Sequence, residues 1–72
     1  MVSEKQRELS KKVKVLRAER GWTQEELAKR SGVSICLVYF VENCKKKPRV
    51  DSLMKIAKAF GIDADELLKY VC

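Results

Sequence analysis

Thr23-Gln24-Glu25-Glu26-Leu27-Ala28-Lys29-Arg30-Ser31-Gly32-Val33-Ser34-Ile35-Cys36-Leu37-Val38-Tyr39-Phe40-Val41-Glu42-Asn43 is the stretch whose reading decides the fold of this chain. It opens on a capping box: the Thr23 hydroxyl can accept from the Glu26 amide while the Glu26 carboxylate reaches back to the Thr23 amide. A short helix is predicted from there to about residue 30, with Leu27 and Ala28 facing inward. Ser31-Gly32-Val33 reads as a turn. Ser34 is the expected N-cap of a further helix running to about Asn43. That helix is the hard part, because Ile35 begins a run of seven consecutive apolar or aromatic residues. By local propensity alone such a run reads as a buried strand. Its setting argues for helix. It lies between a helix with its turn and a basic loop, and no other segment can pair with it as a strand.

Working outward, the N-terminal segment over about 3–20 repeats Leu9, Val13 and Leu16 at i, i+4 and i+7. This is one amphipathic helix, and Gly21 is placed to end it in a left-handed conformation. On the other side, the run Lys45-Lys46-Lys47-Pro48-Arg49 is followed by Leu53, Ile56, Ala57 and Phe60, another helical stripe closed by Gly61. Asp63-Ala64-Asp65-Glu66 reads as the capped start of a last short helix, whose apolar side is Leu67, Leu68 and Val71. The expectation is an all-α fold of five helices joined by connections of about 2 to 7 residues. It forms one domain over 1–72, with the paired helices and their turn at about 23–43.

The 72 residues carry 16 Lys and Arg against 10 Asp and Glu, a formal net charge of +6. The excess is uneven: residues 1–20 hold seven basic and three acidic side chains, 21–44 hold two and three, and 45–72 hold seven and four. A basic balance favours a polyanionic partner, nucleic acid first and an anionic membrane surface second. A solvated basic surface without a partner is the plain alternative. The membrane reading is the weaker one, since the apolar stripe of the first helix is narrow and lacks interfacial aromatics. No apolar run reaches the length of a membrane span, and no signal-peptide core opens the sequence, so a cytoplasmic setting is expected.

Catalysis is poorly supported. The chain has no His, so no Ser-His or Cys-His pair exists, and there is no Gly-rich phosphate loop. The cysteines Cys36, Cys44 and Cys72 are odd in number and form no C-x-x-C pair. Neither a disulfide framework, a metal site nor a cofactor is indicated. Cys36 and Cys44 read as buried structural thiols, and Cys72 as a terminal thiol able to link two chains on oxidation. The acids at 25–26 and 63–66 are explained as helix starts rather than as paired catalytic carboxylates.

Gln24-x-x-Leu27-Ala28-x-x-Ser31-Gly32-Val33-Ser34-x-x-x-Val38-x-x-Val41-Glu42 has the spacing of a helix-turn-helix. Ala28 is small where two helices cross, Gly32 makes the turn, and Val38 and Val41 pack back onto the first helix. Together with Arg17-Ala18-Glu19-Arg20-Gly21-Trp22 before it, and Pro48, Leu53-x-x-Ile56-Ala57-x-x-Phe60-Gly61-Ile62 and Glu66-Leu67-Leu68 after it, the chain resembles the Cro/phage-repressor (XRE-type) family over about 9–70. The resemblance implies a five-helix, lambda-repressor-like domain. It further implies a regulator of transcription that binds double-stranded DNA with its third helix in the major groove, most often as a homodimer on a palindromic site.

Roles carried over by the resemblance fall on matching positions. Thr23 and Gln24 at the start of helix two and Asn43 at the end of helix three match phosphate-contacting places. Lys45, Lys46, Lys47 and Arg49 would lie along the DNA backbone and supply non-specific affinity. Arg17 and Glu42 match a structural ion pair between helices one and three. Trp22 stands where the family has a core aliphatic, so packing is favoured over base stacking. Tyr70 and Val71 serve either a dimer contact or simple packing.

Two departures stand out. The base-reading positions would be Ile35, Cys36, Tyr39 and Phe40, where the family carries polar side chains. Apolar groups can touch a thymine methyl but cannot make the bidentate contacts that single out G or A. An outer face this apolar is open to three readings: methyl contacts beneath a basic backbone grip, docking of a protein partner or second copy, or residues altered from a natural parent. The second departure is Cys44, where the family has Gly. A left-handed residue is expected there, and for Cys that conformation costs about 1 kcal/mol.

Overall fold

The structure, a computed structural model, describes residues 4–45 and 48–70. Five helices follow one another: α1 (Glu4–Glu19), α2 (Gln24–Ser31), α3 (Ile35–Glu42), α4 (Val50–Phe60) and α5 (Asp65–Leu68). The core is assembled from the stripes read in the sequence. Leu9, Val13 and Leu16 of α1 meet Leu27 and Ala28 of α2, Val38 and Val41 of α3, Leu53, Ile56, Ala57 and Phe60 of α4, and Leu67 of α5. Each large aliphatic side chain fully withdrawn from water contributes about 1.5–3 kcal/mol. The α2–α3 pair rests on α1 through α3 and on α4 through α2.

The apolar run of α3 is a helix. It buries Val38, Val41 and the following Glu42, half-buries Leu37 and Phe40, and exposes Ile35, Cys36 and Tyr39. Helical geometry therefore uses only part of the run for the core, where a strand would have needed partners on both edges. The Ser34 hydroxyl caps it by accepting from the Leu37 amide at 3.1 Å.

Helices α1 to α4 end in the same way. An amide just past each helix bonds the carbonyl five residues back: Trp22 to Arg17 at 3.1 Å, Val33 to Ala28 at 3.1 Å, Lys45 to Phe40 at 2.9 Å and Ile62 to Ala57 at 3.1 Å. This Schellman closure needs a left-handed residue. Glycine supplies it at positions 21, 32 and 61, and Cys44 supplies it after α3 with φ 56°. The third helix thus keeps the family's turn without the family's glycine.

Some local details differ from expectation. α1 ends at Glu19 and α2 runs through Ser31, whose hydroxyl donates back to the Leu27 carbonyl at 2.6 Å. Only half of the capping box forms. The Thr23 hydroxyl accepts from the Glu26 amide at 3.1 Å, but the Glu26 carboxylate turns to Arg30, 3.3 Å away at i+4. α5 has no side-chain cap. Its cap residue is Ala64, in helical conformation, and Asp63 contributes its main-chain carbonyl, accepting from the Glu66 amide at 3.0 Å. The expectations placed on Lys46, Lys47, Val71 and Cys72 lie outside the described residues.

Candidate nucleic-acid interface

The interface is organised around a buried carboxylate. Glu42, the last residue of α3, is 1% exposed, and an unpaired charge there would be strongly unfavourable. Arg17 of α1 answers it with two bonds, Nε to Oε2 at 2.8 Å and Nη2 to Oε1 at 3.0 Å. The third guanidinium nitrogen donates to the Trp22 carbonyl at 2.8 Å, so one arginine fixes both the end of α3 and the approach to α2. Gln24 joins from the first turn of α2, its Nε2 lying 3.3 Å from Glu42 Oε1. Ser10 of α1 donates its hydroxyl to the main-chain carbonyl of Glu42. Three helices are therefore locked at one point, and the direction of α3 is set by it.

Around this lock lie the residues singled out in the sequence. Thr23 is exposed at the N-terminus of α2, where first-turn amides have no intrahelical partner. Gln24 is half-buried against Glu42. Asn43 is exposed, and its Nδ2 donates to the Tyr39 carbonyl at 2.9 Å, sealing the end of α3. Lys45 and Arg49 are both exposed, with Arg49 at the N-cap of α4. Ile35 and Tyr39 are 48% and 42% exposed; Cys36, read from the sequence as a buried thiol, is exposed because it falls on the outer face of α3, and Cys44 is only half-buried. Phe40 is less available than the other three: it is half-buried, with its ring edge-on to Tyr39 at 6.0 Å.

Sequence reasoning passed over a basic stripe on α1. Arg7, Lys11 and Lys14 border a shallow cleft of about 400 Å³ that is shared with Asn43 and Cys44. The signal was present as i, i+4 and i+7 spacing, but it becomes meaningful only once α1 is known to pass the end of α3. Trp22 packs against the core as expected, but its partners were not foreseen. It stacks on Phe60 at 5.7 Å between the rings, with Arg30 over its face at 4.7 Å. Arg20 covers the Phe60 ring at 5.0 Å. Trp22 thus packs on the side of the core, with cations on both flanks of the stack.

Exposed apolar and hydroxyl groups along one helix, bordered by cations and by the open N-terminus of another, can meet methyl-bearing base edges and phosphates together. The chain matches the family model HTH_3, described as helix-turn-helix, over residues 13–67. It belongs to this XRE-type helix-turn-helix family. Among its relatives, an uncharacterized HTH-type transcriptional regulator of Methanocaldococcus jannaschii is 37% identical over 62 residues, 86% of this chain and 94% of that protein. The uncharacterized HTH-type transcriptional regulator YqaF of Bacillus subtilis is 34% identical over 64 residues, 89% of this chain and 84% of that protein. A hypothetical transcription factor from Neisseria has a crystal structure that superimposes with a TM-score of 0.83 at 28% identity, covering 94% of this chain and 82% of that one. Among the described residues, no helix is long and apolar enough to cross a membrane.

Proposed function

We propose that this protein is a sequence-specific, DNA-binding regulator of transcription of the Cro/repressor type, acting as a homodimer with α3 in the major groove. One observation carries the reading. The Arg17–Glu42–Gln24 lock ties the end of α3 to α1 and to the N-terminus of α2, and Ile35, Cys36 and Tyr39 on the same helix stand exposed. Thr23, Gln24, Asn43, Lys45, Lys46, Lys47 and Arg49 grip the phosphates, and that grip sets register rather than sequence. Base reading falls to Ile35, Cys36, Tyr39 and, with less reach, Phe40. Their chemistry selects thymine methyls, so the site they favour is rich in A·T pairs at the contacted positions. The naming of the relatives as transcriptional regulators supports the same reading.

Selection of bound sites from a random duplex pool at physiological salt tests the proposal. Enrichment of a palindrome with half-sites one helical turn apart, about 10–10.5 base pairs, supports it. Weak, salt-sensitive binding without enrichment overturns it and leaves α3 as a docking face for another protein.

A further inference from the structure

Four cations outside the proposed phosphate grip converge at a second place. A groove of about 530 Å³ runs between the C-terminal end of α2 and the second half of α4, lined by Lys29, Arg30, Gly32, Lys55, Lys58 and Ala59 among others. Four positive side chains from two helices share it, and no acidic residue lines it. Among the described residues, Lys29, Lys55 and Lys58 have no carboxylate within ion-pair distance. Arg30 is held in place from behind, paired with Glu26 at 3.3 Å and laid over the Trp22 ring at 4.7 Å. Like charges facing one another across a recess repel, and an anionic occupant relieves that repulsion.

We infer that this groove docks an acidic segment of a partner polypeptide. Its four cations, Lys29, Arg30, Lys55 and Lys58, are none of those assigned to the proposed phosphate grip. It opens towards the C-terminal end of α2, whose lining residues start at Lys29, about 8 Å along the axis from Gln24. The cleft beside Asn43 differs in kind, because Glu42 is part of its lining. The lining of the groove leaves room for a close main-chain approach, since nothing lies within 4 Å of where a Cβ on Gly32 would stand and Ala59 is small. The lysine stems supply apolar walls while their ammonium groups reach the carboxylates.

The test uses a fluorescent decaglutamate peptide as probe, titrated onto the full chain at physiological salt with amide NMR shifts recorded. Binding should move the amides of Lys29, Gly32, Lys55, Lys58 and Ala59. The pair Lys55→Gln and Lys58→Gln should weaken it about tenfold, whereas Lys11→Gln with Lys14→Gln, equal in charge removed, should weaken it less than about twofold. The thermal midpoint of each variant checks that the fold is retained. Equal losses in the two pairs, or shifts spread over every basic stretch, would reduce the effect to net charge and overturn the inference. Duplex DNA displacing the peptide from these same amides would give the groove to nucleic acid and overturn it too.

Discussion

Arg17 closes on Glu42 with two nitrogens, at 2.8 and 3.0 Å from its two carboxylate oxygens, and the carboxylate it meets is almost wholly withdrawn from water. The pair joins the last residue of α3 to α1 across 25 positions of sequence. A surface pair of this kind contributes little. A buried carboxylate that loses its partner is another matter, because the remaining charge has no solvent to return to.

Arg17→Met should therefore destabilise the fold by about 3 kcal/mol in urea unfolding, a large fraction of the margin available to a small domain. The double variant Arg17→Met with Glu42→Leu should recover most of that loss, since no orphan charge remains. Equal damage from the double and the single variant would mean that packing, and not the charge, is what the pair supplies.

Cys44 carries φ 56° at the turn after α3, the place glycine takes after α1, α2 and α4. Cys44→Gly should raise stability by about 0.5–1 kcal/mol, the left-handed strain being larger than the added chain entropy of glycine. A weak interaction opposes this, the thiol lying 3.6 Å from the Gln6 carbonyl. Cys44→Ala keeps the strain and should give no gain. Thermal unfolding of the two variants side by side decides the point.

Lys45 and Arg49 are exposed at the two ends of the α3–α4 connection. Replacing both with Ala should weaken binding to every duplex by a similar factor. It should also lower the slope of log affinity against log salt by about 2, nearly one unit for each phosphate no longer neutralised. Titrations of one selected and one random duplex at several salt concentrations measure this. Weakening confined to the selected duplex would assign these residues to base reading instead.

Much of this architecture was legible in the sequence, for reasons that are local. The Thr23 and Ser34 caps, the left-handed turn at Gly32 and the Leu9–Val13–Leu16 stripe depend on neighbours within one or two helical turns. The fit of α3 was not local: its residues favour a strand, and only the packing of Val38 and Val41 on the rest of the core makes the helix the better state. The features missed altogether join distant positions. Gln24 reaching Glu42, Trp22 stacked on Phe60, and Lys29 and Arg30 of α2 sharing a groove with Lys55 and Lys58 of α4 leave no periodic trace in the chain. The half-formed capping box has a related cause. Glu26 had two possible partners, and the Arg30 guanidinium held by Trp22 won it.

The central claim is that the outward side chains of α3 read bases, and exchanging them tests it most directly. Site selection with the variant Ile35→Gln plus Cys36→Gln, run beside the original chain, should give a new consensus. It should gain adenine at one or two positions of each half-site, because Gln pairs in bidentate fashion with adenine N6 and N7. The rest of the site and the half-site spacing should stay as they were. An identical consensus from both proteins, or no enrichment from either, would contradict the claim.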